Sequence, residues 1–121
     1  FVEGITVDMF HKKKYTPDYI DSFKVETNFY DRKRTLNDNA DAFLILPGGI
    51  GTADEFFDVL NLASLGLLTQ TIVVYNKNEC WTDLLKWIDK AKNLEMLRTI
   101  PKNLVIAQSI DELILFLKSY V

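Results

Sequence analysis

The sequence holds one cysteine, Cys80, and one histidine, His11, in 121 residues. A single cysteine excludes an internal disulfide framework and fits a reducing compartment, so a cytoplasmic setting is expected. No histidine stands near Cys80 in sequence, and between Glu79 and Trp81 its thiol reads as a packing or surface group in a strand-to-helix loop. His11 lacks further ligands at recognisable spacing and reads as a surface or capping residue, so no metal is assigned. Excess positive charge is also absent: 14 basic against 17 acidic residues leave a net charge of −3. That balance makes no general electrostatic case for nucleic acid or membrane, and any anion site must be local. No apolar run approaches the ~20 residues that span a bilayer. Glycine is scarce as well, and three of the five glycines fall at positions 48, 49 and 51.

Those three glycines sit in the stretch around which the chain is organised. Phe43 to Leu46 is an apolar run of strand length. The turn Pro47-Gly48-Gly49-Ile50-Gly51-Thr52 follows, and Ala53-Asp54-Glu55-Phe56-Phe57 opens an apolar-periodic helix. Glycines let backbone amides approach a ligand closely, and the helix behind them offers unpaired N–H groups and the positive end of its dipole. A phosphate fits such a site. Thr52 and Glu55 have a plainer reading too, since Thr-x-x-Glu before an apolar run is a capping box. On spacing alone capping stands ahead of catalysis. A glutamate in the first turn beside an anion site is expected to be held ionised by the dipole, which suits a base or a cation stabiliser.

The rest of the chain alternates strand and helix patterns. Phe1 to Val7 reads as a strand with Gly4 at a bend or close approach, and Asp8 to Pro17 as a loop carrying Lys12, Lys13 and Lys14. Three lysines are first of all a solvated surface; the sharper reading is a basic lip that steers a phosphate ester. A short strand is expected around Phe23 to Val25. Asn28 then caps a helix to about Asn39, with Phe29, Leu36 and Arg32 inward. Its Arg32-Lys33-Arg34 cluster near the amino end opposes the dipole, and a local rule broken in this way favours a role in a site. The helix from Thr52 to about Leu68 is apolar on most faces. It should be covered by its sheet and by another layer or subunit, so a homodimer through the helix following Glu55 is expected. Thr71 to Tyr75 is a strand of the all-apolar kind covered on both faces. A helix from Trp81 to Asn93, a strand from Leu104 to Ala107 and a capping box Ser109-Ile110-Asp111-Glu112 before a last helix complete the pattern. The fold class is α/β: one domain over residues 1–121, with a Rossmann-like parallel sheet flanked by helices on both faces. Ligands in such sheets sit beyond the carboxyl ends of the strands.

Pro47-Gly48-Gly49-Ile50-Gly51-Thr52-x-x-Glu55 resembles the PGGxGTxxE signature of the LOG family, the lysine decarboxylase-like proteins that act as cytokinin riboside 5'-monophosphate phosphoribohydrolases. A second motif of that family, an Arg-Lys pair opening a helix some twenty residues earlier, is matched by Tyr30-Asp31-Arg32-Lys33. The resemblance runs from Gly4 to the last helix. It implies hydrolysis of the N-glycosidic bond of a purine nucleoside 5'-monophosphate, with Arg32 and Glu55 as the catalytic pair. Lys33, Gly48, Gly49, Ile50, Gly51 and Thr52 would contact phosphate and ribose, and Asn61 stands where the family often has a substrate-touching threonine. No cofactor is implied, and no lysine stands in a recognisable pyridoxal phosphate context. The family carries an earlier glycine-rich segment, and the chain opens on Phe1, so the expectation is the C-terminal two-thirds of a longer protein. Departures at Lys14, Tyr30, Leu62 and Ser64 touch the base pocket and leave the phosphate anchor intact, which favours a general nucleotide hydrolase over a cytokinin-specific one. Two other readings stay open: a nucleotide-binding or sensor domain in which Glu55 is only a cap, and an inactive fragment of such an enzyme.

Overall fold

The computed structural model describes residues 1–11 and 17–120, so the expected basic lip at Lys12, Lys13 and Lys14 lies outside the described residues. The chain divides into two compact units, Phe1–Ala40 and Asp41–Val121.

In the first unit β1 (Glu3–Val7) pairs in parallel with β2 (Ser22–Glu26), Gly4 opposite Phe23 and Thr6 opposite Val25. Gly4 marks a close approach, because a Cβ there would run into the Phe23 ring. A one-turn helix, α1 (Asp8–His11), follows β1 where a loop was expected, with Asp8 in its first turn and His11 in its last, as the dipole favours. α2 (Phe29–Asp38) starts as the sequence predicts: the Asn28 side chain accepts a hydrogen bond from the Asp31 amide at 2.9 Å. Its expected inner face is only partly formed. Leu36 and Arg32 are half-buried, but Phe29 is exposed and meets the Phe10 ring edge-on at 6.0 Å. A two-stranded sheet gives a helix little surface to bury against.

In the second unit β3 (Ala42–Ile45), β4 (Thr71–Tyr75) and β5 (Leu104–Ala107) form a parallel sheet in the order β3-β4-β5. The connections are α3 (Ile50–Ser64) and α4 (Thr82–Asn93), and α5 (Ile110–Leu117) follows β5. Both crossovers step the same way along the sheet, so one handedness places both helices on one face. The packing agrees: Ile72 and Val74 of β4 share a core with Phe56, Val59 and Leu60 of α3 and Ile88 of α4. Val73, between them, points the other way and packs with Ala107 and with Leu113 of α5. Period-two alternation thus divides β4 between two cores, and Ile72, Val73 and Val74 are all 0% exposed. The fold is the expected α/β class, with parallel sheets flanked by helices in a Rossmann-like manner.

α3 ends at Ser64, earlier than the expected Leu68. Gly66 adopts φ 72°, its amide bonds Ala63 O at 3.0 Å and the Leu67 amide bonds Leu62 O at 2.9 Å. This paired bonding is a Schellman motif, and it closes the helix in spite of the apolar residues that follow. α5 opens on the Ser109 cap read from the sequence, with the Glu112 carboxylate reaching the amide before Ser109 instead of that of Ser109 itself. Ser109 Oγ accepts from the Glu112 amide at 3.2 Å, while the Glu112 carboxylate accepts from the Gln108 amide at 2.7 Å.

Two outcomes test this packing. Ile72→Ala opens a cavity in a fully closed core and should lower unfolding free energy by about 2–5 kcal/mol in denaturant titration. In the first unit the Thr35 hydroxyl donates to Glu26 at 2.6 Å and Lys24 lies 3.3 Å away, which holds the Glu26 carboxyl below its usual value of 4.5. A carboxyl depressed by folding stabilises above its unfolded pKa and loses that contribution as pH falls through the folded value. The stability gap between the native chain and Thr35→Val should therefore be present at neutral pH and shrink below about 4.5; a gap independent of pH would refute this linkage.

Candidate functional site

The glycine turn lies at the carboxyl end of β3, and the structure changes how its first helical turn is read. α3 begins at Ile50 with Gly49 as N-cap, and no side chain caps it. Its first intrahelical bond runs from the Ala53 amide to Gly49 O at 3.0 Å. Thr52 is thus the third helical residue and Glu55 the sixth, so the expected Thr52–Glu55 capping box does not form. The glycines start the helix two residues early, and the box's spacing falls out of phase with the helix end. The amides of Gly49, Ile50, Gly51 and Thr52 precede that first bond and have no intrahelical acceptor. They sit at the positive end of the dipole, with no acidic residue in the first turn.

The three glycines have different reasons to be there. A Cβ on Gly48 would collide with the Thr52 side chain, so this glycine is required by close approach within the turn. A Cβ on Gly49 or Gly51 would meet nothing within 4 Å. Neither has a positive φ. The fold therefore demands glycine at 48 and leaves 49 and 51 bare over open space, the arrangement a ligand needs to reach backbone amides. Pro47, Gly48, Gly49, Ile50 and Gly51 are all exposed, and Thr52 and Glu55 are half-buried.

Asn61 is elsewhere on the same helix. Six residues beyond Glu55, it is displaced about 120° around α3 and about 9 Å along it. It lines an apolar cleft of about 310 Å³ with Phe57, Trp87 and Met96. The structure brings the glycine turn, Thr52 and Glu55 together at the start of α3 and places Asn61 on another flank. Arg32 and Lys33 belong to the first unit, as the fourth and fifth residues of α2. Arg32 is half-buried and its Nε donates to Ile5 O of β1 at 3.0 Å, while Lys33 is half-buried and Arg34 exposed. Only Asp31 occupies the charged first turn of α2, so the conflict with the dipole is milder than the sequence suggested.

A further set of residues at the carboxyl edge escaped the sequence reading. Asn76, directly after β4, is 3% exposed. Its Nδ2 donates to Thr82 Oγ1 at 2.9 Å and to Gln108 Oε1 at 3.3 Å, and its Oδ1 accepts from the Trp81 amide at 2.8 Å. One amide side chain so ties the end of β4 to the start of α4 and to the turn before α5. Between Asn76 and Trp81 the backbone makes a single 3-10 turn in which Asn78 and Glu79 adopt φ 52° and 56°. Left-handed backbone at non-glycine residues costs of order 1–3 kcal/mol each and persists where its surroundings hold it. The Glu79 amide bonds Asn76 O at 3.1 Å. The only sequence signal was a polar residue where an otherwise apolar strand stops. Cys80 is exposed in this turn, and no cluster of metal-ligating side chains occurs among the described residues.

Comparison with known proteins agrees with the signature in the turn. A cytokinin riboside 5'-monophosphate phosphoribohydrolase of Arabidopsis thaliana is 28% identical over 121 residues, covering 99% of this chain and 57% of that protein. One from Mycobacterium marinum is 28% identical over 110 residues, covering 90% of this chain and 59% of its own length. One from Rhodococcoides fascians is 44% identical over a shorter 64 residues, 53% of this chain and 32% of that protein. The chain thus spans less than two-thirds of the length of these relatives. A family model described as "Possible lysine decarboxylase" matches residues 2–116. Since that match takes in both units and the glycine turn alike, the chain belongs to the lysine decarboxylase-like family, the LOG proteins.

Proposed function

We propose that this chain binds the 5'-phosphate of a purine nucleoside monophosphate at the amino end of α3 and hydrolyses its N-glycosidic bond to free base and ribose 5-phosphate. The observation that carries the reading is the pair of bare glycines, Gly49 and Gly51, over open space at an uncapped helix end. The phosphoribohydrolase activity for which the similar proteins are named supports the reaction class.

In this reading the phosphate accepts from the amides of Gly49, Ile50, Gly51 and Thr52, with Gly48 letting the Thr52 side chain fold over the turn. The bond between ribose C1′ and the base nitrogen breaks with its electron pair leaving on the base, which takes up a proton. Water adds to C1′ and releases its own proton. The ribose passes through an oxocarbenium-like state. Glu55 stabilises that positive charge or orients the water, and its place one turn beyond the anion site suits a substrate held by its phosphate. The resemblance to the LOG signature assigns Arg32 and Lys33 to the handling of the nucleotide as well. The whole chain serves in this reading as one nucleotide-binding domain, working without cofactor or metal on a small molecule in the cytoplasm. Asn61 then belongs to the edge of the substrate region. The apolar cleft beside it, with Leu65 and Leu67 of the α3 terminus 63% and 73% exposed, supports a homodimer through the helix following Glu55.

A binding-only reading has one observation in its favour. The Nε of Arg32 is engaged by the Ile5 carbonyl, which is a structural use of that side chain.

Incubation with AMP and with N6-isopentenyl AMP, followed by chromatography of the free base, separates the readings. Glu55→Gln and Arg32→Ala should each reduce base release by about 10²-fold or more while the chain still binds AMP. Gly51→Ala should weaken AMP binding with the fold intact. AMP bound with no base released by the native chain would select the binding module instead. Sedimentation equilibrium checks the dimer: Leu65→Lys with Leu67→Lys should shift a two-fold assembly towards the single chain, and a native protein that sediments as one chain would end that proposal.

A further inference from the structure

We propose that Asn76 is a positioning residue for the α3 anion site, acting through Trp81 and Phe56. The inference rests on the reading of the glycine turn as an anion site and extends it to residues that never touch the ligand.

A turn that binds a phosphate through main-chain amides is only as well placed as the helix that carries it. α3 is held at its start by Phe56, which follows Thr52 by one turn and is 0% exposed. The ring of Trp81 lies against it, 6.4 Å between centroids and tilted by 54°, and Trp81 is itself 5% exposed. Trp81 stands just before α4, where no side chain caps that helix. What holds its backbone is Asn76, whose Oδ1 takes the Trp81 amide at 2.8 Å. The same Asn76 side chain uses its two N–H groups on Thr82 and Gln108, so it cannot rotate away without breaking three bonds. The Gln108 backbone N–H in turn donates to the Glu112 carboxylate of α5. A chain of contacts therefore runs from the ends of β4 and β5, through one buried amide, to the ring that backs the second turn of α3, one turn beyond the anion site. Its members follow adjacent strands, so β3 and β4 deliver the anion turn and its support to the same edge of the sheet.

This arrangement also accounts for the left-handed pair Asn78 and Glu79. The chain has only five residues, Asn76 to Cys80, in which to leave β4 and present Trp81 inward. The Glu79 and Cys80 amides bond back to Asn76 O and Lys77 O within that span. The short strained turn sets where the indole comes in.

The test uses the full chain with AMP as probe, at a temperature well below unfolding. Asn76→Ala should weaken AMP binding on the order of tenfold by calorimetry. It should also move the backbone amide resonances of Gly49 and Gly51, which are far from it in sequence. Trp81→Leu, which shrinks the buttress and leaves Asn76 in place, should do the same. Trp81→Phe keeps a ring against Phe56 and should restore affinity to within about threefold of the native chain. A merely structural Asn76 would lower the melting temperature and leave AMP affinity and the two glycine resonances unchanged, and that result overturns the proposal. Should Asn76→Ala fail to fold, the comparison of Trp81→Leu with Trp81→Phe decides by the same criterion. A native chain that does not bind AMP would instead refute the anion site itself, while native binding with unaffected variants refutes only the role of Asn76.

Discussion

The second unit depends on one strand that cannot face water on either side. β4 sends Ile72 and Val74 to one core and Val73 to another, and all three are closed off. A strand in that position needs neighbours on both edges and helices on both faces. The sequence supplies them in order: β3 and β5 beside it, α3 and α4 on one face, α5 on the other. The short loops that deliver α3 and α4 then start at the carboxyl edge, and chemistry collects there because parallel pairing puts every such loop at the same end.

How much of this was legible in the residues varied with the range of the interaction. Asn28 and Ser109 as caps are local bargains between a side chain and an amide three residues away, and both read correctly from sequence. Thr52 and Glu55 carry the same spacing as Ser109 and Glu112, yet only the latter pair caps. The difference lies in what precedes them. Gly49 can enter the helix as its N-cap, so α3 begins upstream of Thr52. Gly66 ends the same helix by a φ that an apolar pattern does not announce. Contacts between distant residues were least visible: Arg32 with the Ile5 carbonyl across 27 positions, Asn76 with Gln108 across 32, and Trp81 with Phe56. The glycine turn was read as a site from its composition, but only the geometry separates the glycine needed by the turn from the two that the turn does not need.

The family signature and the physics of the turn account for different parts of the chain. The signature ties residues 47–55 to a set of nucleotide-cleaving relatives. The physics explains why such a stretch suits an anion whatever is done with it afterwards: free amides, a dipole end, no carboxylate in the first turn and no β-carbons in the way.

Those missing β-carbons also bear on the stability of the protein itself. Gly51 sits inside a helix with negative φ and empty space around it, so alanine there would adopt the same backbone and restrict the unfolded chain. Such a replacement gains roughly 0.4–1 kcal/mol wherever geometry permits. A chain shaped by folding alone would have filled the position. The turn is therefore softer in its empty state than it need be, and a bound anion that orders its amides would firm up the start of α3, making local exchange of those amides with solvent a gauge of occupancy.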